Sequence, residues 1–209
     1  SSVDQFVAAK NSGIESLRDL NGKKFVPGGM ASGAEITARE ILSFYDLDYI
    51  NRQDVKAEFV NFDGAVERMK NVQADAALIL TGVPNSAVME LISSAGAYLI
   101  SLEPEMVEQI TTEMPYYSPY TIKAGSYPSQ EQEVATVCQE NWILVDESMD
   151  EELVYQMTKA LYEHQDDLAA IHAIAKNITL ENTQKAMDYM PMPLHSGAER
   201  YYKEVGLIQ

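Results

Sequence analysis

Cysteine is almost absent: the 209 residues contain one, Cys138. A single cysteine forms no intrachain disulfide and builds no cysteine-based metal site, which excludes small disulfide scaffolds and zinc ribbons. Histidine is nearly as scarce, with His164, His172 and His195. On a helix the first two would stand roughly 12 Å apart along the axis, too far to share one metal ion. We read both as surface or boundary residues, and His195, between Pro193 and Ser196, as a loop contact. No metal or cofactor is expected.

Basic residues are also few. Fifteen Lys and Arg face 32 Asp and Glu, a net charge of −17. The acids are spread along the chain rather than gathered in a tail, as on a solvated acidic surface. Such a chain is repelled by nucleic acid and by anionic membranes, so no nucleic-acid partner is expected. There is no apolar run of about 18 residues to span a bilayer. Nor is there a signal peptide; the opening Ser1-Ser2-Val3-Asp4-Gln5 reads like the middle of a protein, as in a processed chain. Catalytic signatures are missing too: no Gly-x-Ser-x-Gly elbow, no His-Glu-x-x-His helix, no phosphate loop ending in Gly-Lys-Ser/Thr. No internal repeat or low-complexity tract interrupts the chain.

What remains is an ordinary globular composition, 46% hydrophobic and 22% charged, enough to bury a core. The length suits one large domain or two small ones. Up to about residue 122, strand and helix patterns alternate. Phe6–Ala9, Lys23–Pro27, Ala57–Val60, Ala74–Leu80 and Tyr98–Ser101 read as strands. Leu17 to Gly22 reads as a helical turn. A helix carries Ala34, Ala38, Ile41, Leu42 and Tyr45 on one face; others run from Gly64 to Lys70 and from Asn85 to Ser93. This alternation predicts an α/β fold with a mostly parallel sheet covered on both faces.

The character changes near Pro115. Pro115, Pro119, Gly125 and Pro128 punctuate a tyrosine-rich stretch; Val134–Val137 and Trp142–Val145 then read as extended. From Ser148 the chain is almost wholly helical, with Ser148/Glu151 and Ser196/Glu199 spaced as capping boxes. Val154, Met157, Leu161 and Leu168 make an apolar stripe that must pack on something.

One segment invites a ligand. Val26-Pro27-Gly28-Gly29-Met30-Ala31-Ser32-Gly33-Ala34-Glu35 joins a strand to a helix. Glycines let the backbone come close to a bound molecule, and a helix N-terminus offers free N–H groups to a carboxylate. Ser32 and Glu35 also match a capping box, which explains the pair without a ligand. The dinucleotide pattern Gly-x-Gly-x-x-Gly is absent. A second strand-to-helix turn, Thr81-Gly82-Val83-Pro84-Asn85, has Asn85 as a candidate cap. In an open parallel sheet two such turns line one edge, where ligands bind. Pro115-Tyr116-Tyr117-Ser118-Pro119-Tyr120 combines rings and hydroxyls, suited either to a lid or to a core.

Taken in order, these residues resemble the TAXI subfamily of TRAP-transporter solute receptors. The resemblance runs through Ser12-Gly13-Ile14 to Asp19-Leu20-Asn21-Gly22-Lys23, Gly33-Ala34-Glu35, Gly82-Val83-Pro84-Asn85 and Ile122-Lys123-Ala124-Gly125-Ser126-Tyr127-Pro128. It continues through Ile178-Thr179-Leu180-Glu181-Asn182 and from Pro193 to Tyr202. It implies a periplasmic-binding-protein-like (type II) bilobed fold. Residues 1–10 would be a crossover strand, 11–122 a complete α/β lobe, and 123–209 the mostly helical return segment of the other lobe. The N-terminal sheet elements of that other lobe are expected to be missing.

The resemblance also implies a receptor outside the cytoplasmic membrane, in the periplasm or on the outer face of a Gram-positive cell. It would capture a small organic acid or amino acid, glutamate- or 2-oxoglutarate-like, and deliver it to TRAP permease subunits. Ser32, Gly33 and Ala34 would hold the carboxylate; Gly82, Val83 and Asn85 would form the facing wall; Tyr117 or Tyr120 would close over the ligand. Two alternatives stay open. An enzyme on the same scaffold would depend on Glu35, the one acid in the segment, and an acidic interaction module would dock a partner by charge.

Overall fold

The computed structural model describes every residue except His172 and Pro191, and the backbone only of Ala173. The expectation for His172 lies outside the described residues. The chain divides into two compact units, Ser1–Gln139 and Glu140–Gln209.

In the first unit, β1 (Ser2–Ala8) is buried along almost its whole length. Val3 and Val7 point to one face; Phe6 and Ala8 point to the other. A strand with apolar residues on both faces belongs in the middle of a covered sheet. Its partners are β2 (Lys24–Val26), β3 (Lys56–Ala57), β4 (Ala76–Thr81), β5 (Tyr98–Leu99), β6 (Tyr117–Ile122) and β7 (Val134–Gln139), in the order β3-β2-β4-β1-β7-β6, with β5 pairing the far end of β1.

The α/β class read from the sequence holds, but the mostly parallel sheet does not. Only β2–β3 and β2–β4 pair in parallel; β1 is antiparallel to β4, β5 and β7, and β6 to β7. The reason lies in the connections. Parallel neighbours need a crossover, and α1 (Gly33–Ser43) and α2 (Phe62–Lys70) supply the two. β1 precedes every helix, and β6 returns to β7 through residues 123–133 with no helix between. β7 lies beyond residue 122 and pairs with both β1 and β6 inside the first unit.

Helices cover both faces. Ala38, Ile41 and Leu42 of α1, with Met106 and Ile110 of α4 (Pro104–Glu113), pack on Phe6, Phe25 and Leu78. Val66 and Met69 of α2, with Val88 and Leu91 of α3 (Ser86–Ala95), pack on Val7, Val26 and Ile79. Each fully buried Leu, Ile or Phe contributes about 1.5–3 kcal/mol relative to exposure. The extended segment expected at Ala57–Val60 is shorter in the sheet, since β3 ends at Ala57.

The second unit is helical: α5 (Glu151–Glu163), α6 (Gln165–Ile171), α7 (Leu180–Met187) and α8 (Ser196–Glu204). Its α5–α8 contact turns on Gly197. A Cβ there would stand 2.3 Å from the Glu151 carbonyl oxygen and 2.6 Å from the Tyr155 nitrogen, so only glycine admits the close approach. Tyr155, Tyr162, Tyr201 and Tyr202 stack around the seam, with Arg200 lying 4.0 Å over the Tyr155 ring.

Several local expectations change here. Asp150, not Ser148, caps α5, accepting the Leu153 N–H at 3.0 Å, while the Ser148 hydroxyl bonds Asp146. His195, not Ser196, caps α8: its Nδ1 accepts the Gly197 N–H at 3.1 Å. In both cases a neighbouring side chain reaches the free N–H group first. The buried stripe of α5 is Val154, Tyr155 and Thr158, whereas Met157 is exposed. Trp142–Val145 forms no strand, since the described residues of this unit include none for it to pair with. No helix among the described residues is long and apolar enough to cross a membrane.

Candidate functional site

Because β2 and β4 are parallel neighbours, their C-terminal ends share one edge of the sheet. From β2 the chain leaves through α1 toward β3; from β4 it leaves through α3 toward β5, beside β1. The two connections depart in opposite directions and on opposite faces, as α1 packs with Phe25 and α3 with Ile79. In open α/β sheets, diverging connections of this kind flank the crevice where ligands bind. Ser32, Gly33 and Ala34 lie in the connection after β2, and Gly82, Val83 and Asn85 in the connection after β4.

The loop after β2 is shaped by Gly28. Its φ of +120° lies where L side chains are strained, and a Cβ would meet the Ala34 Cβ at 2.9 Å and the Ser32 Oγ at 3.1 Å. The loop therefore folds tightly against the start of α1. Ala31 adopts φ 58°, a left-handed conformation that costs a non-glycine residue roughly 1–2 kcal/mol. Ser32 caps α1, its Oγ accepting the Glu35 N–H at 3.3 Å. The leading N–H groups of Gly33 and Ala34 have no intrahelical acceptor by helix geometry. Gly33 is exposed, with no heavy atom within 4 Å of where its Cβ would sit.

The reciprocal half of the expected capping box is absent. Glu35 is 1% exposed and binds Arg39 Nε at 2.8 Å, and it accepts the Tyr49 hydroxyl at 3.0 Å. An acid held this way fixes the helix to Tyr49; it is not a free general base beside the crevice.

The wall after β4 is held from three directions. Asn85 Oδ1 accepts the Ala87 N–H at 2.8 Å, capping α3, while its own N–H donates to the Tyr127 hydroxyl at 3.0 Å. That hydroxyl donates in turn to Gln5 Oε1. Gln5, fully buried on β1, donates to the carbonyls of Thr81 at 3.1 Å and Gly82 at 3.4 Å. Burial, opposed by the Asn85 N–H, pushes the Tyr127 hydroxyl up to about 12, so it stays protonated and can donate. Gln5 and Tyr127 escaped the sequence reading. The signals were a buried-type strand interrupted by glutamine and a tyrosine inside the Gly125–Pro128 turn.

The structure separates the two expected lid residues. Tyr117 is fully buried on the α1 face and donates to Glu40 Oε2 at 2.6 Å. Tyr120 lies on the opposite face, packed with Val83 against the α3 side of the core. Among the described residues no group of three or more His, Cys, Asp or Glu is placed to hold a metal ion. Two open grooves lie away from the crevice: one of about 490 Å³ at the start of β2 beside Lys24 and Lys56, one of about 510 Å³ between α2 and α3.

These features define a mixed α/β protein in which two helix-leading loops follow the C-terminal ends of neighbouring parallel strands. The chain belongs to the NMT1-like family, which it matches over residues 2–206. The match does not by itself distinguish the TAXI subfamily that the sequence resembles.

Among solved structures, the chain is similar to the periplasmic aliphatic sulphonate binding protein SsuA from Escherichia coli at 13% identity and a TM-score of 0.48, over 97% of this chain and 61% of that one. It is similar to the alkanesulfonate-binding protein SsuA from Xanthomonas axonopodis pv. citri, bound to MOPS, at 13% identity and TM-score 0.46, over 96% and 55%. An ancestral arginine-binding protein bound to arginine gives 18% identity and TM-score 0.42, over 85% and 61%. The chain thus spans between 55% and 61% of the length of these three structures.

Proposed function

We propose that the chain is an extracytoplasmic solute-binding receptor of the periplasmic-binding-protein type II class, binding its ligand without covalent chemistry. The observation that carries this reading is that the Gly28–Ala34 loop and the Gly82–Asn85 turn both follow the C-terminal ends of the parallel neighbours β2 and β4. The ordered motifs that resemble TAXI receptors support it as well. Residues 11–122 are read as one lobe and 123–209 as the return segment of the other, with β7 contributing to the sheet of the first.

The ligand is a small carboxylate or amino acid, glutamate- or 2-oxoglutarate-like. Its carboxylate lies beside Ser32 on the N–H groups of Gly33 and Ala34, since the Ser32 N–H already donates to the Gly29 carbonyl at 2.9 Å. An acidic chain repels an anion at long range, so capture depends on these local donors and on the positive end of the α1 dipole. Gly82, Val83 and Asn85 form the facing wall. Tyr120 is the better placed of the two tyrosines to approach that wall, since it packs on the same core cluster as Val83 while Tyr117 packs on the other. Lobe closure over the ligand shifts the population to a form that a TRAP permease recognises.

Calorimetric titration of the protein with glutamate, 2-oxoglutarate, arginine, an alkanesulfonate and a wider set of acids and amino acids tests the reading. Saturable binding that is lost in Gly33→Asp, with the fold retained, is expected. Silence across the set would sink the receptor assignment. Uptake into vesicles carrying a TRAP permease, driven by an ion gradient and not by ATP, tests the partner.

A further inference from the structure

Asp4 lies on the face of β1 that carries Phe6 and Ala8. It is 1% exposed, and neither carboxylate oxygen has a hydrogen-bond partner among the described residues. Burial of an ionised carboxylate without a donor is so costly that the group neutralises instead. The acid that faces it is Glu40 on α1, and the two acids are supported unequally. Glu40 Oε2 accepts the Tyr117 hydroxyl at 2.6 Å and Oε1 accepts the Tyr116 hydroxyl at 3.0 Å. Further back, Gln139 Nε2 donates to Thr37 Oγ1 at 2.9 Å, and Thr37 hydrogen-bonds the Tyr117 hydroxyl. Donors therefore converge on Glu40, while Asp4 receives none.

We propose that Asp4 carries a proton at neutral pH, so that the central strand β1 holds a neutral acid on the face covered by α1, the helix that follows the Gly28–Glu35 loop. Burial first, and the Glu40 charge second, push the Asp4 carboxyl well above the usual carboxylate range. The titratable groups facing it are Glu40 from α1 and Tyr117 from β6. From β7 the neutral Thr136 donates its hydroxyl to the Asp4 carbonyl at 2.6 Å, and Leu80 is the register partner on β4.

A pKa raised by folding leaves stability fully present below the unfolded value, roughly pH 4, and drains it as pH rises toward the folded value. Asp4→Asn keeps a neutral donor and removes the titration. Its advantage over the natural protein should be small near about pH 4 and grow as pH rises above it in urea unfolding. Infrared spectra of the natural protein at neutral pH should contain a protonated-carboxyl stretch that is missing in Asp4→Asn. In Glu40→Gln the same band should titrate away at lower pH, because the like charge has gone. A neutral-pH spectrum without that band, or an Asp4→Asn stability difference that is flat with pH, would overturn the proposal. So would stabilisation of the natural protein by sodium or calcium ions that Asp4→Asn abolishes, since a metal ion and not a proton would then neutralise Asp4.

Discussion

Asn85 donates its backbone N–H to the Tyr127 hydroxyl at 3.0 Å, joining the wall of the crevice to a loop 42 residues further along the chain. Through the same hydroxyl the contact extends to Gln5 on the central strand. Removing it isolates that link. Tyr127→Phe keeps the ring and its packing but strands the Asn85 N–H and the Gln5 carbonyl. We expect a loss of about 1–3 kcal/mol in urea unfolding. Amide exchange at Asn85 should rise more than at the α1 positions.

Two glycines in the same loop should respond with opposite signs. Gly28→Ala places a methyl group 2.9 Å from the Ala34 Cβ at a φ of +120°, and should cost at least about 2 kcal/mol. Gly33→Ala meets nothing within 4 Å in the first turn of α1 and should be neutral or stabilise by up to about 1 kcal/mol. Chemical denaturation of the pair checks this; equal effects would mean that the loop does not hold the described conformation.

In the second unit, Gly197→Ala drives a methyl group against the Glu151 carbonyl at 2.3 Å. The α5–α8 seam must open, at a cost of about 1–3 kcal/mol. Limited proteolysis should then cut faster within residues 140–209 and leave residues 1–139 protected.

Glu35→Gln discriminates a structural acid from a catalytic one. The substitution weakens the Arg39 pair and the bond from Tyr49, and Arg39 is 46% exposed, so solvent screening limits the loss to about 1–3 kcal/mol. The expected result is a lower unfolding midpoint with solute binding retained. Turnover of a small molecule by the natural protein that vanishes in Glu35→Gln would instead revive the enzyme reading.

Much of the fold was legible in the chain because periodicity is local. The helix with Ala34, Ala38, Ile41 and Leu42 occurs, though it ends at Ser43 before Tyr45; the buried strand through Leu80 occurs as Ala76–Thr81, and the Ser32 and Asn85 caps form. Long-range pairing was not legible. Nothing in Val3–Ala8 states that it runs antiparallel between β4 and β7, and nothing near Ser148 shows that Asp150 wins the cap. Tyr117 and Tyr120 looked alike in sequence, yet a spacing of three on a strand sends them to opposite faces.

By itself the sequence determined the absences and the local grammar: no disulfide, no basic surface, no recognised catalytic motif, and a glycine loop and a Val-Pro-Asn turn each leading into a helix. Tertiary structure decided which of those segments share an edge, because only β2 and β4 pairing in parallel makes both turns leave from strand ends that point the same way. It also decided the state of Asp4, an ordinary acid in sequence. The covered sheet withholds water and donors from its carboxylate while the hydroxyls of Tyr116 and Tyr117 go to Glu40.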